Sequence, residues 1–277
     1  MKNHKYLLFA LASLCILAIT VFSCNKEKPS TCKECEKPSI QEIKKFADFV
    51  GNCHNATLDV ELPVIKQCFQ KGETFEIDSI VSMTKGYLKE QYANFCSVQI
   101  DETVSSKMND IENEYKHAVP VVLDSLCSTI YLSDFLDAQM GLTVFEKNTI
   151  LRIIDICHDT IDENRTKELA NIRNELDRMG CESELLYYSI SIAQASNEYW
   201  TNHISDLSIS KRPLWEILTN TISSDIAGAI GSVLVGGWVC TGTLVFGPGG
   251  IVSCVGGVFL FGGISSSVVA FVEQTAF

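Results

Sequence analysis

The sequence predicts an all-α protein: an antiparallel multi-helix bundle followed by a C-terminal Gly-rich apolar helical hairpin. Three observations predict it. Between residues 39 and 212 apolar residues recur at three- and four-residue steps, with no sustained period-two alternation between turn signals. Helix start and stop signals punctuate the same region. Residues 226–272 carry no Asp, Glu, Lys or Arg and hold 12 of the chain's 17 glycines.

The first helix opens at the capping box Ser39-Ile40-Gln41-Glu42 and continues through Ile43, Phe46, Phe49 and Val50. Pro63 and Pro120 read as residues near helix starts, where the missing N–H costs least. A second capping box, Thr143-Val144-Phe145-Glu146, precedes Ile150, Ile153, Ile154 and Cys157. Gly180 follows Leu169, Ile172, Leu176 and Met179 and suits a helix C-terminus. Glu182–Leu207 reads as a long helix with Leu185, Tyr188, Ile192, Ala195, Tyr199 and His203 on one side. The domain holds six to eight helices around one core, and residues 213–225 connect it to the tail.

The tail splits at a turn, Gly247-Pro248-Gly249-Gly250, into Ile226–Phe246 and Ile251–Val272. Each arm has roughly the 20 residues that a helix needs to cross a bilayer. Small residues fall at four-residue steps. Gly228, Ser232, Gly236 and Cys240 form one row, Gly249, Ser253 and Gly257 a second, and Gly250, Cys254, Gly262 and Ser266 a third, in which Val258 intervenes. Residues four apart share a helix face, so these rows are grooves that admit a second backbone. In water each glycine costs about 0.5–1 kcal/mol against Ala. The expectation is therefore membrane or oligomer packing, with burial of the hairpin in the helical domain or a disordered tail as the alternatives.

The N-terminus is a targeting segment. Met1–Lys5 is basic, and Tyr6–Phe22 is an uncharged apolar run, the pattern of a secretory signal peptide over residues 1–23. It ends Val21-Phe22-Ser23-Cys24, which resembles a bacterial lipobox, with Phe22 where that pattern carries a small residue. The resemblance implies cleavage before Cys24 and acyl chains such as palmitate on it, enough for stable anchoring when two or more are present. Asn25, rather than Asp, follows Cys24 and implies an outer-membrane address by analogy. Residues 24–38 read as the lipidated Cys and a polar tether.

Ten further cysteines remain beyond Cys15 and Cys24, an even number that permits disulfides in an exported protein. Spacing alone leaves their pairing open, although Cys240 and Cys254 flank the hairpin turn. The net charge of −12 and the scattered basic residues exclude nucleic acid as a partner. No HExxH, Gly-rich phosphate loop or G-x-S-x-G occurs, so no catalytic residue, metal site or cofactor is assigned. Asp155, His158, Asp159 and Asp162 sit at helical spacing, and a solvated helix face explains them more simply than a divalent site.

Three patches occur in order: Val50-Gly51-Asn52-Cys53-His54-Asn55, Glu198-Tyr199-Trp200 and Asp225-Ile226-Ala227-Gly228-Ala229-Ile230-Gly231. With the lipobox, they resemble uncharacterised predicted lipoproteins of Bacteroidetes-type bacteria that end in a glycine-zipper tail. The resemblance implies an architecture and no activity. The expected function is a membrane-attached structural or interaction protein of the cell envelope. It would hold the membrane by Cys24 and by hairpin insertion, bind an unknown protein partner, and pair with copies of itself through the tail. The alternative is a bacteriocin-like, pore-forming effector with a helical carrier domain.

Overall fold

The protein is described by a computed structural model covering residues 39–71, 77–96, 136, 142–207, 212–240, 246–247, 250–251 and 254–275; for stretches including 91–96, 233–240 and 254–259 only the backbone course is described. Residues Ser39–Phe277 form one compact unit. The signal peptide, Cys24, the tether, Pro120, Pro248, Gly249 and Ser253 lie outside the described residues.

Seven described helices confirm the all-α reading. They are α1 (Ile40–Gln70), α2 (Ile77–Cys96), α3 (Val144–Cys157), α4 (Asp162–Met179), α5 (Glu184–His203), α6 (Leu214–Cys240) and α7 (Cys254–Thr275). Both capping boxes form. Ser39 Oγ and N donate to Glu42 Oε2 at 2.7 and 2.8 Å, and Glu42 N donates back to Ser39 Oγ at 3.3 Å. The Thr143–Glu146 pair repeats that geometry. Gly180 ends α4 in the left-handed conformation (φ 61°), and Cys181 N reaches back to the Leu176 carbonyl at 3.1 Å. Gly180 N also bonds the Asp177 carbonyl at 3.3 Å, and both bonds belong to the glycine stop signal.

Two local expectations fail. Pro63 lies inside α1, not near its start. It is exposed while Leu62 and Ile65 beside it are buried, so side-chain packing carries the helix past the bond that proline deletes. Helix α5 is not one-sided. Leu186 to Ala193 and Ala195 to Asn197 are buried, as are Tyr199 and Trp200. A helix apolar or small on all sides belongs at a centre, and α5 packs against α1, α3, α4, α6 and α7.

Helix α6 runs from Leu214 to Cys240, so the connecting segment and the first hairpin arm are one helix. A two-residue antiparallel ladder follows, pairing Phe246 with Ile251 and Gly247 with Gly250. It brings α7 back along α6. Every residue from Thr221 to Ser232 and from Leu260 to Val272 is buried. Helix α7 also packs on α1, α2 and α5, and α6 on α3 and α5. This half of the hairpin is thus enclosed by the helical domain, the arrangement that ranked behind membrane or oligomer packing in the sequence. Among the described residues no helix is long and apolar enough to cross a membrane.

Candidate functional site

The most distinctive polar constellation sits where the three sequence patches meet. Gly51 brings α1 close to α5: a Cβ there would stand 3.2 Å from the Ser191 carbonyl oxygen and 3.4 Å from the Ala195 Cβ. One turn on, His54 projects into the interior and is fully buried. Its Nε2 donates to Asp225 Oδ1 of α6 at 3.0 Å. Ser196 Oγ of α5 donates to Asp225 Oδ2 at 2.5 Å, and Trp200 Nε1 donates to the same oxygen at 3.1 Å. Asp225 is fully buried, and two helices, α1 and α5, supply its three donors. The Trp200 ring stacks on Phe271 of α7, 5.3 Å between centroids, so the second hairpin arm is tied to the same point.

The His54 ring faces oxygen on both sides, with Asn55 Oδ1 2.9 Å from Nδ1. Burial pulls its pKa down, but the Asp225 charge and the bonds to Asp225 and Asn55 outweigh this and raise it above the ordinary value. The arrangement is a fully buried histidine–aspartate pair.

A Ser, a His and an Asp meet here, yet the connectivity is not that of a nucleophile and its base. Ser196 donates to the carboxylate and not to His54, and both ring nitrogens of His54 are already engaged. A nucleophilic hydroxyl needs a base with a free lone pair pointing at it. What the geometry supplies is structural: a buried hydrogen-bonded cluster that fixes α1, α5 and α6 to one another. The neighbouring Cys157 thiol is buried, and burial above all pushes its pKa up, which makes it inert as a nucleophile.

A second network orders the adjacent face of α5. Arg165 is buried and donates from Nε to Asn197 Oδ1 at 2.6 Å and from a terminal nitrogen to the Asp159 carbonyl at 2.6 Å. Its other nitrogen reaches Asp162 Oδ1 at 3.2 Å. Asp159 meanwhile accepts from Ile161 N, and His158 Nε2 lies 3.2 Å from Ser223 Oγ. Asp159 and Asp162 thus serve backbone capping and arginine binding, His158 and Asp159 lie between α3 and α4 so that the four residues do not share one helix, and among the described residues no group could hold a metal ion. His203 stacks on Tyr199 with centroids 4.2 Å apart and bonds the Tyr199 carbonyl, so it packs on its own helix.

A third buried group is isolated. Glu61 is fully buried in α1; Thr84 Oγ1 of α2 donates to its Oε1 at 2.6 Å, and its Oε2 has no partner. Burial raises its pKa to about 8, against the smaller lowering by Thr84. Glu61 falls on the buried face of α1, at helical spacing with Val50, His54, Leu58 and Ile65, and that spacing was the signal in the sequence.

The small-residue rows are brought together in part. Gly228 and Ser232 of α6 meet Gly262 and Ser266 of α7. A Cβ at Gly228 would run into the Ser266 side chain and stand 2.5 Å from the Gly262 carbonyl oxygen; a Cβ at Gly262 would run into Ser232 and stand 2.5 Å from the Gly228 oxygen. The first and third rows thus face each other within one chain. Gly263, outside the rows, touches the Asp225 carbonyl oxygen in the same way at 3.1 Å. The Ser232 and Ser265 hydroxyls are buried without a partner, so these positions supply small size and not hydrogen bonds. Gly236, Cys240, Cys254 and Gly257 lie on α6 and α7 further toward the turn, and Gly247 and Gly250 pair in the ladder.

The fold and this interior define a class: a helical bundle closed around its own glycine-packed hairpin and fastened by a buried His–Asp pair. Comparisons with family models, with curated proteins and with solved structures return no match.

Proposed function

We propose that the chain is a lipid-tethered protein of the cell envelope, most simply of the outer membrane, that holds a helical domain at the membrane for a protein partner. Cys24 supplies the anchor, and the hairpin supplies the internal spine of the domain. One observation carries this division of labour. The hairpin half from Thr221 to Ser232 and from Leu260 to Val272 is buried against α1, α2, α3 and α5, so its apolar surface is already covered. The facing rows at Gly228 and Gly262 are likewise filled within the chain and leave no groove there for a second copy. Alkaline extraction of membranes tests the reading. The wild-type chain should stay with the membrane and a Cys24→Ala chain should wash off. A Cys24→Ala chain that resists extraction overturns it and makes the hairpin an anchor.

A second reading is favoured by a specific feature. Residues 226–272 carry no charge, and the stretches from Thr221 to Ser232 and from Leu260 to Val272 are buried beneath the surrounding helices. A hairpin stowed in this way suits a membrane-active effector that unsheathes at a target bilayer. Dye release from liposomes by the full chain, and its loss in a Gly236→Leu, Gly257→Leu variant, is the expected result. No leakage across anionic and zwitterionic compositions removes that reading.

A further inference from the structure

We propose that Cys240 and Cys254 form a disulfide that clasps the loop end of the α6–α7 hairpin. The register carries the inference. Ser232 lies against Gly262 across the antiparallel pair. Stepping four residues toward the turn on each helix keeps to the same face and matches Gly236 with Val258, then Cys240 with Cys254. Helix α6 ends at Cys240 and α7 begins at Cys254, so both residues hold helical positions at the same level of the hairpin. Beyond them the ladder pairs Phe246 with Ile251 and Gly247 with Gly250, which returns the chain antiparallel over the short span between the cysteines. The close approach at Gly228 and Gly262 sets a short separation between the two backbones, and disulfides require Cα atoms within about 7 Å.

Four other cysteines are described, and none is in a disulfide. Cys53 and Cys157 are buried thiols, and Cys68 and Cys181 are thiols on α1 and just beyond α4. The reaction needs a two-electron acceptor, here a disulfide compound. Each cysteine loses a proton and together they lose two electrons, a sulfur–sulfur bond forms between them, and the acceptor's own disulfide is reduced to two thiols. The clasp turns the chain between Cys240 and Cys254 into a closed loop and holds the turn ends of α6 and α7 together until the bond is reduced.

Trypsin supplies a clean readout, because no Lys or Arg follows Arg212, so Cys240 and Cys254, and no other cysteine, fall in one C-terminal peptide. The folded full chain is equilibrated with oxidised and reduced glutathione, denatured in N-ethylmaleimide and digested. The expected peptide takes no label, is lighter by two hydrogens than the dithiol, and takes two labels after reduction. A Cys240→Ser chain with unchanged helical circular dichroism should show Cys254 fully labelled. Two labels without reduction, glutathione adducts on either residue, or a link from this peptide to any other cysteine overturns the proposal.

Discussion

Gly228 and Gly262 face each other across the α6–α7 pair so closely that a methyl group on either would stand 2.5 Å from the other's carbonyl oxygen. The relationship is reciprocal and involves backbone on both sides, which cannot swing away as a side chain can. Gly228→Ala and Gly262→Ala should therefore each destabilise the domain by about 1–3 kcal/mol, the cost of overpacking a filled interface. Gly86→Ala is the control. It lies inside α2, is exposed, and has nothing within 4 Å of an added Cβ. There the ordinary helix preference applies, and the change should stabilise by about 0.5–1 kcal/mol. Opposite signs in urea denaturation are the expected outcome.

The same interface predicts the effect of its serines. The Ser232 hydroxyl is buried beside Gly262 with no hydrogen-bond partner. Ser232→Ala keeps the small size and removes an unsatisfied polar group, so it should be neutral or stabilise by up to about 1 kcal/mol. A loss beyond that, measured by the same denaturation, would show that the hydroxyl and not its size matters.

Asp225 binds three donors from two helices in a dry interior. Asp225→Ala leaves His54 without its counter-charge and should cost about 3–5 kcal/mol. His54→Ala should cost a similar amount, since it strands the carboxylate. Because each single change already breaks the pair, the double variant should lose much less than the sum. Additive losses in the double-mutant cycle would mean that the two residues act independently.

Proton linkage sets a direction for pH. Glu61 has a folded pKa of about 8 against an ordinary 4.5, so the folded chain binds more protons than the unfolded one between those values. His54 is also raised, above 6.5. Stability from both is complete in mild acid and is lost as pH rises, for Glu61 from 4.5 through about 8 and for His54 above 6.5. Glu146 and Asp177 behave oppositely. Burial raises each, but hydrogen bonds with Ser183 and Thr143 for the first, and with Lys44 and Tyr187 for the second, lower them overall, and their stabilisation is lost as pH falls through their folded values. The melting temperature should peak near about pH 5 and decline toward pH 8. Glu61→Gln should flatten the decline and raise stability at pH 7 by up to about 3 kcal/mol, since one pKa unit is worth 1.36 kcal/mol. A melting temperature that rises steadily from pH 5 to pH 8 would contradict this assignment.

Much of the architecture was legible in the residues. Ser39, Glu42, Thr143, Glu146 and Gly180 act within one turn of themselves, and their roles are local chemistry that any context would preserve. The burial of Ile150, Ile153, Ile154 and Cys157 followed from helical spacing for the same reason. The candidate interior was not legible in this way. His54 and Asp225 are 171 residues apart, and each reads alone as an ordinary polar residue on a helix. The only signal was the coincidence of three short patches, which named His54, Trp200 and Asp225 without saying that they touch. Pro63 and α5 misled because tertiary packing overrode a local rule in each.

The sequence by itself determined that this chain is helical, that helices start after Ser39 and Thr143 and one stops at Gly180, and that residues 226–272 contain no cation and a pair of glycine-rich arms able to approach closely. What those arms approach is a tertiary fact. A small-residue groove is complementary to any helix backbone, in a bilayer, in a second copy or in the same chain, and period and composition are identical in all three. The tertiary structure decided for the same chain at Gly228 and Gly262, because α5 and the buried His54–Asp225 pair hold α6 where α7 must pack back against it.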